Sequence, residues 1–235
     1  MFRKRLQFSK KGNLKFIGHL DFLRVFGEMI SRSRLPVSYS AGFNPHILLS
    51  FALPLPLGFV SENDYVDLVF ERDLPAEDIS DGLNNVAPSG LTIKSVYEAT
   101  DKCASVVAMA DYSVNLCYVG ARQDLPVKNN TTGKSCLTPT ANLSAHDYIK
   151  NAIDSALSKE EIIIPKKTKS GIKNTDIRGD IFSVSFDVGE VFMRLSAGSA
   201  RFLHPIVAAG AIFGSKPSPI GFTRLEMYKQ NAAKL

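Results

Sequence analysis

A chain of 235 residues, 45% hydrophobic and 22% charged, suffices for one large domain or two of about 100 residues each, so no disulfide or metal staple is required. Its net charge of +5 and isoelectric point near 9.0 are modest, which makes the distribution of charge more informative than the sum. The three cysteines, Cys103, Cys117 and Cys136, form no Cys-x-x-Cys pair, an argument against a disulfide framework and against a zinc or iron–sulfur site built from this chain alone.

The first residues, Met1-Phe2-Arg3-Lys4-Arg5, open on charge, and no apolar run of signal-peptide length follows. The longest apolar candidate, Ile206 to Phe213, falls far short of the roughly 20 residues of a membrane span. A cytoplasmic chain with reduced thiols is expected, and triplets such as Asn129-Asn130-Thr131 then carry no glycosylation meaning.

In chain order, Leu6 to Ser9 alternates as a strand, Lys10 to Asn13 is turn-like, and Leu14 to Ile17 reads as extended. From His19 the period becomes helical: Leu20, Leu23, Phe26 and Ile30 share one side, while Asp21, Arg24, Glu28 and Arg32 take the other. Pro36 is expected to end this helix. Val37 to Tyr39, Leu48 to Leu53 and the run around Val66, Leu68 and Phe70 read as extended. Pro75 can occupy the first turn of a helix whose inward residues are Ile79 and Leu83, and Leu91 to Tyr97 is a further strand. The second half offers a strand at Tyr112 to Val119, a polar loop at 120–142, and a helix opening near Ser144-Ala145-His146-Asp147. Ile162 to Ile164, then alternating Phe182/Val184/Phe186 and Val191/Met193/Leu195, read as strands; Pro205 to Phe213 is a short helix and Phe222 to Tyr228 a last strand.

That order predicts an α+β fold of two tandem ferredoxin-like βαββαβ units with antiparallel sheets, divided as 1–103 and 104–235. The alternative is one continuous mixed sheet covered by helices on one face. The halves share element order, not visible sequence identity.

Two basic clusters stand out. Arg3, Lys4, Arg5, Lys10, Lys11 and Lys15 lie within fifteen acid-free residues, and Lys166, Lys167, Lys169, Lys173 and Arg178 are opposed only by Asp176. The second cluster reads as a β-hairpin over 165–178 with a Ser170-Gly171 turn, its alternate residues forming a phosphate rail. Solvated lysines are the plain alternative. Tyr39-Ser40-Ala41-Gly42-Phe43-Asn44-Pro45-His46 combines aromatic faces with donors and acceptors, the residue types that read single-stranded RNA; an ordered, inward-packed loop is its plain alternative. His19, at a helix start, suits phosphate binding or acid–base work, with His46 as a partner, but no further clustered His or Cys completes a metal site. Asp21, Glu62, Asp67 and Asp176 are expected to orient bases or pair with cations. No phosphate-binding glycine loop, Gly-x-Ser-x-Gly turn or radical-SAM cysteine triad occurs.

Longer motifs carry a resemblance. They are Phe8 to Gly12, Phe16-Ile17-Gly18-His19-Leu20-Asp21, Tyr39 to His46, and Ser50-Phe51-Ala52-Leu53-Pro54-Leu55-Pro56-Leu57-Gly58. Ser61, Glu62, Asp67, Lys169 to Lys173 and Asp176-Ile177-Arg178 add to them. On these the chain resembles the radical-SAM-linked family of bacterial proteins, a domain of unknown function found alone or fused behind a radical SAM enzyme. Departures are Gly18 where that family usually has Ser, Ile47-Leu48 in place of Pro-Lys, Gly179 in place of Pro, and a long 120–142 loop. The resemblance implies RNA metabolism or modification beside a radical SAM partner, which would carry the iron–sulfur cluster and S-adenosylmethionine; no cofactor is expected on this chain.

The favoured reading is an RNA-binding accessory protein without independent catalysis, acting on tRNA or rRNA. Its RNA contacts are expected from Lys10, Lys11, Lys15, Tyr39, Ser40, Phe43, Asn44, His46, Lys166, Lys167, Lys169, Lys173 and Arg178. The alternatives are a metal-independent ribonuclease of the CRISPR repeat-processing type, using His19 and His46, and a protein–protein adaptor with no RNA contact. Nothing points to DNA or to a membrane.

Overall fold

The computed structural model describes residues 1–117, 143–168, 171–187, 189–199, 201–214 and 218–235. The elements are β1 (Phe2–Lys10), α1 (His19–Ser33), β2 (Leu49–Phe51), β3 (Val60–Phe70), α2 (Ala76–Asn84), β4 (Leu91–Glu98), α3 (Cys103–Val106) and β5 (Val107–Cys117). They continue with α4 (Leu143–Leu157), β6 (Ile163–Thr168), β7 (Gly171–Asp176), β8 (Ile181–Asp187), β9 (Glu190–Ser196), α5 (Pro205–Phe213) and β10 (Ser218–Lys229). This is a mixed α+β chain whose strand pairs are mostly antiparallel. The expected loop over 120–142, and Lys169 and Ser170 at the hairpin turn, lie outside the described residues. No helix among the described residues is long and apolar enough to cross a membrane.

The chain forms two compact units. Unit 1 comprises Met1–Ala110, Ala197–Arg201 and Thr223–Leu235; unit 2 comprises Asp111–Ser196 and Phe202–Phe222. The expected halves, 1–103 and 104–235, differ from these units because residues 197–201 and 223–235 rejoin the first. Part of that return is a parallel pairing of Thr223 and Arg224 with Val60 and Ser61 of β3.

In unit 1 the sheet runs β4-β1-β3, with β2 on β3. The alternation of β1 and β3 separates two faces. Leu6 and Phe8, with Val66, Leu68 and Phe70, turn to the helices, where Phe22, Phe26, Met29 and Ile30 of α1 and Ile79 and Leu83 of α2 complete a buried core. Burying each such side chain contributes about 1.5–3 kcal/mol. Arg5, Gln7, Tyr65 and Asp67 hold the alternate positions, and Arg5 stands directly opposite Asp67 in the register. There the guanidinium donates to Asp67 at 2.8 Å and to Asp101 at 3.0 Å.

Some expectations change locally. Residues Gly12–Phe16 form a 3-10 turn rather than continuing in an extended path, with the Leu14 N–H donating to the Lys11 carbonyl at 3.3 Å. Helix α1 stops before Pro36, at Arg34 in the left-handed region with φ 56°. The one-turn helix α3 was not legible as such.

In unit 2, β8 and β9 form an antiparallel hairpin, and the Asp111 carboxylate takes the Arg194 guanidinium at 2.7 and 2.8 Å. Strands β6 and β7 make the expected hairpin as a separate two-stranded sheet. His204 caps α5, its Nδ1 accepting from the Ile206 N–H at 3.3 Å.

Candidate functional site

Helix α1 buries one face, and its polar side, with Arg24, Glu28 and Arg32 at four-residue spacing, is exposed. The segment after the helix turns back beside that polar side. An open groove of about 640 Å³ results, lined by Arg24, Glu28 and Arg32 from the helix and Tyr39, Pro45 and His46 from the returning loop.

Local hydrogen bonds hold the loop. The Ser38 N–H donates to the Val69 carbonyl at 2.8 Å and the Val69 N–H to the Leu48 carbonyl at 3.1 Å, fastening both ends of the loop to β3. The Ser40 N–H donates to the His46 carbonyl at 2.8 Å, and Tyr39 bridges Ile47. The Ser40 hydroxyl accepts the His46 backbone N–H at 3.1 Å and lies 2.8 Å from its Nδ1. This anchors the imidazole and leaves Nε2 without a partner among the described residues. Gly42, at φ 133°, allows a turn that a side chain would strain. Its neighbour Phe43 is fully exposed, and Tyr39 is half exposed.

Arg32 makes no ion pair among the described residues. Among the described residues Arg24 pairs with Asp21 alone, at 3.3 Å and largely exposed to solvent, an interaction of about 0–1 kcal/mol that a ligand displaces readily. The groove thus offers two available guanidinium groups, an anchored imidazole and the Tyr39 ring, and Phe43 is exposed on the same loop. Arg24 and Arg32 were legible as the polar side of a helix but not as site residues; only the fold brings the loop beside them.

Part of the N-terminal basic run is buried. Lys4 is buried and paired with Asp73 at 2.6 Å and Glu98 at 3.3 Å, and Arg5 is committed to Asp67 and Asp101. Lys11 pairs with Glu62 at 2.8 Å, and Lys94 reaches the same carboxylate at 3.6 Å, which holds Glu62 below the usual carboxylate range. Lys15 lies 5.0 Å from the Phe16 ring centroid. Lys10, expected among the exposed phosphate contacts, is 1% exposed. Its position continues the inward alternation of Leu6 and Phe8, so its ammonium sits 4.6 Å from the Phe22 centroid and donates to the Ile17 carbonyl at 3.3 Å. Burial pushes its pKa below the usual lysine value.

His19 begins α1 edge-on to Phe51, with 5.6 Å between ring centroids, and burial together with the nearby Lys10 charge lowers its pKa. His46 faces Arg24 to Arg32, roughly 8–20 Å further along the helix axis at about 1.5 Å per residue. His19 is not among the residues that line the groove. Asp67 lies on the other face of the sheet with Arg5. Asn44 is exposed beside Phe43, and Asp21 is in the first turn of α1.

A buried ion pair went unnoticed in the sequence. Arg224 is wholly buried, donating to Asp64 and to the Leu53 carbonyl at 3.0 Å while its Nε has no hydrogen-bond partner. Burial pushes the Asp64 carboxyl upward against the pull of that guanidinium. The signal is Arg224 two positions from inward Phe222, and so on the same face of the strand.

In unit 2 the hairpin register sets Lys166 directly opposite Lys173, both exposed. Lys167 occupies the neighbouring position of β6, and Lys169 is outside the described residues. Arg178 is committed to backbone: its guanidinium donates to the carbonyls of Leu157 at 3.1 Å, Lys159 at 3.2 Å and Ile181 at 3.2 Å, closing the C-terminal end of α4. Asp176 accepts the backbone N–H groups of Ile162 at 2.8 Å and Arg178 at 2.9 Å. No group of three His, Cys, Asp or Glu side chains suited to a metal occurs among the described residues.

No curated protein matches the chain. A family model described as "uncharacterized protein conserved in bacteria" (DUF2344) matches residues 3–205 of the 235. The chain belongs to this bacterial family.

Proposed function

We propose that the protein is an RNA-binding accessory factor whose α1 groove takes single-stranded RNA. The observation that carries this reading is the meeting in one groove of weakly paired Arg24, Arg32 with no ion pair among the described residues, half-exposed Tyr39 and anchored His46, with Phe43 fully exposed on the same loop. Phosphates fit the guanidinium groups and bases stack on the rings. Like charges directly opposite across a hairpin are unfavourable, so Lys166 and Lys173 gain from a polyanion, which makes the hairpin a second contact. The resemblance to radical-SAM-linked proteins supports a radical SAM enzyme as catalytic partner. Each unit is read as a ferredoxin-like module; in unit 1 the order β1-α1-β2-β3-α2-β4 and the β4-β1-β3 sheet support this.

The test is fluorescence anisotropy with labelled single-stranded RNA across a salt series. Phe43→Ala should weaken binding by about 5- to 100-fold, the range for loss of one stacked base. Arg24→Gln/Arg32→Gln should weaken it further and flatten the salt dependence. Wild-type affinity in both variants would overturn the groove assignment, and no RNA affinity at all would favour the protein adaptor.

A further inference from the structure

Unit 1 holds a second cavity, of about 680 Å³, that shares no lining residue with the groove. Its lining includes Arg3 and Val69, which oppose each other across β1 and β3, and Asp67 two positions along β3. These alternate with core-facing Leu68, so they belong to the sheet face turned from α1 and α2. Leu48 and Ser50 form one wall, and Thr100 and Lys102 form another. The latter wall is tied to β1 by the Ala99 N–H, which donates to the Arg3 carbonyl at 3.1 Å.

The cations that line this cavity are not among the paired ones of the unit. Lys4, Arg5, Lys11, Lys94, Arg224 and Lys229 all have carboxylate partners. Arg3 and Lys102 have none among the described residues, and both line the same cavity. The hydroxyls of Ser50 and Thr100 likewise make no hydrogen bond among the described residues. Two cations and two hydroxyls thus line one cavity with their side-chain donors uncommitted among the described residues. Asp67, by contrast, is held rigidly: Arg5 donates to it at 2.8 Å and the Cys103 N–H at 2.7 Å. Its charge is matched by Arg5, and its oxygens retain accepting capacity toward a hydroxyl or amino group.

We propose that this cavity binds a small organic phosphate of the nucleoside 5′-monophosphate class. The phosphate lies between Arg3 and Lys102, where a guanidinium fork and an ammonium supply more donors than a carboxylate would use. The Ser50 and Thr100 hydroxyls complete its shell. The volume far exceeds that of inorganic phosphate and matches a ligand with a body, which rests on Leu48 and Val69 and donates to Asp67. The same chemistry is presented by a free metabolite and by the 5′-phosphorylated end of an RNA. This site is independent of the α1 groove and does not rest on the RNA reading.

The test is calorimetric titration of the full chain with AMP, GMP, CMP and UMP, with adenosine and inorganic phosphate as comparisons. At least one monophosphate should bind saturably, at least tenfold more tightly than adenosine or inorganic phosphate. Arg3→Gln/Lys102→Gln should weaken it at least tenfold with an unchanged melting temperature, while Arg24→Gln/Arg32→Gln should bind it as wild type does. A 5′-phosphorylated RNA octamer compared with its 5′-hydroxyl twin separates the sources. Phosphate-dependent octamer binding through Arg3 and Lys102 supports the site and assigns it to RNA ends, whereas monophosphate binding alone supports the site and assigns it to a metabolite. No saturable binding by any monophosphate or by the phosphorylated octamer, or binding that survives Arg3→Gln/Lys102→Gln, overturns the proposal.

Discussion

Single residues here take their meaning from where alternation sends them. Lys10 and His19 illustrate this: a strand position carries the lysine inward, and the start of α1 sets the histidine near it. Because burial and the Lys10 charge hold the His19 pKa below 6.5, the folded state favours the neutral ring. Between the lowered folded value and 6.5 the unfolded chain binds the extra proton, so stability rises with pH across that window. The His19 contribution is fully present above pH 6.5 and is lost as pH falls. His204, lowered by burial, acts with the same sign, so the comparison must be with a His19 variant. Urea midpoints followed by circular dichroism should fall between pH 7.5 and 5.5, and His19→Gln should reduce that fall. An identical pH response in the variant would exclude His19 as a contributor. The same burial takes Lys4, Arg5 and Lys10 out of the basic run that the sequence shows: charge density is visible in one dimension, whereas Asp67 and Asp73 reach Arg5 and Lys4 from more than 60 residues away.

Whole elements were more legible than their ends. The 3.6-residue period of α1 and the alternation of β3, β4, β8 and β9 arise from having one face in a core, and that signal is local. The connections follow contacts that are not local. The Lys11–Phe16 segment turns because β1 and the turn before β4 meet there: the Lys11 N–H donates to the Gly90 carbonyl at 2.8 Å. Gly90 has φ 91°, and a Cβ built on it would stand 2.5 Å from the Lys11 carbonyl oxygen. Both strain and collision oppose any side chain. Gly90→Ala should therefore destabilise the protein by about 1–3 kcal/mol, read as a lower urea midpoint with little change in slope. A midpoint within error of wild type would show that this turn relaxes freely. The α1 groove depends on a similar nonlocal return, since the Tyr39–His46 motif was readable as a loop but its neighbours on α1 were not.

At the scale of the whole molecule, unit 1 is assembled from both ends of the chain, and its polar interior shows why it needs them. Residues 223–235 supply Arg224 to buried Asp64, the Glu226 carboxylate to the buried Tyr65 hydroxyl, and the Leu235 carbonyl to Arg5 at 3.3 Å. Removing one partner of a buried ion pair typically costs about 3–5 kcal/mol, because the remaining charge stays out of water without compensation. Domains of this size are stable by only about 5–15 kcal/mol in total. The contiguous fragment 1–110 retains most of the apolar core yet loses all three partners. It should therefore show reduced helical circular dichroism and no cooperative urea transition. Asp64→Asn in the fragment removes the stranded charge and should recover part of the signal, which separates the electrostatic cost from the loss of strand pairing. A wild-type fragment that unfolds cooperatively at the full-length midpoint would mean that the C-terminal strand decorates unit 1 rather than completing it. The buried Arg224–Asp64 pair would then have to be energetically neutral, against the cost expected for a wholly buried charge left without its partner.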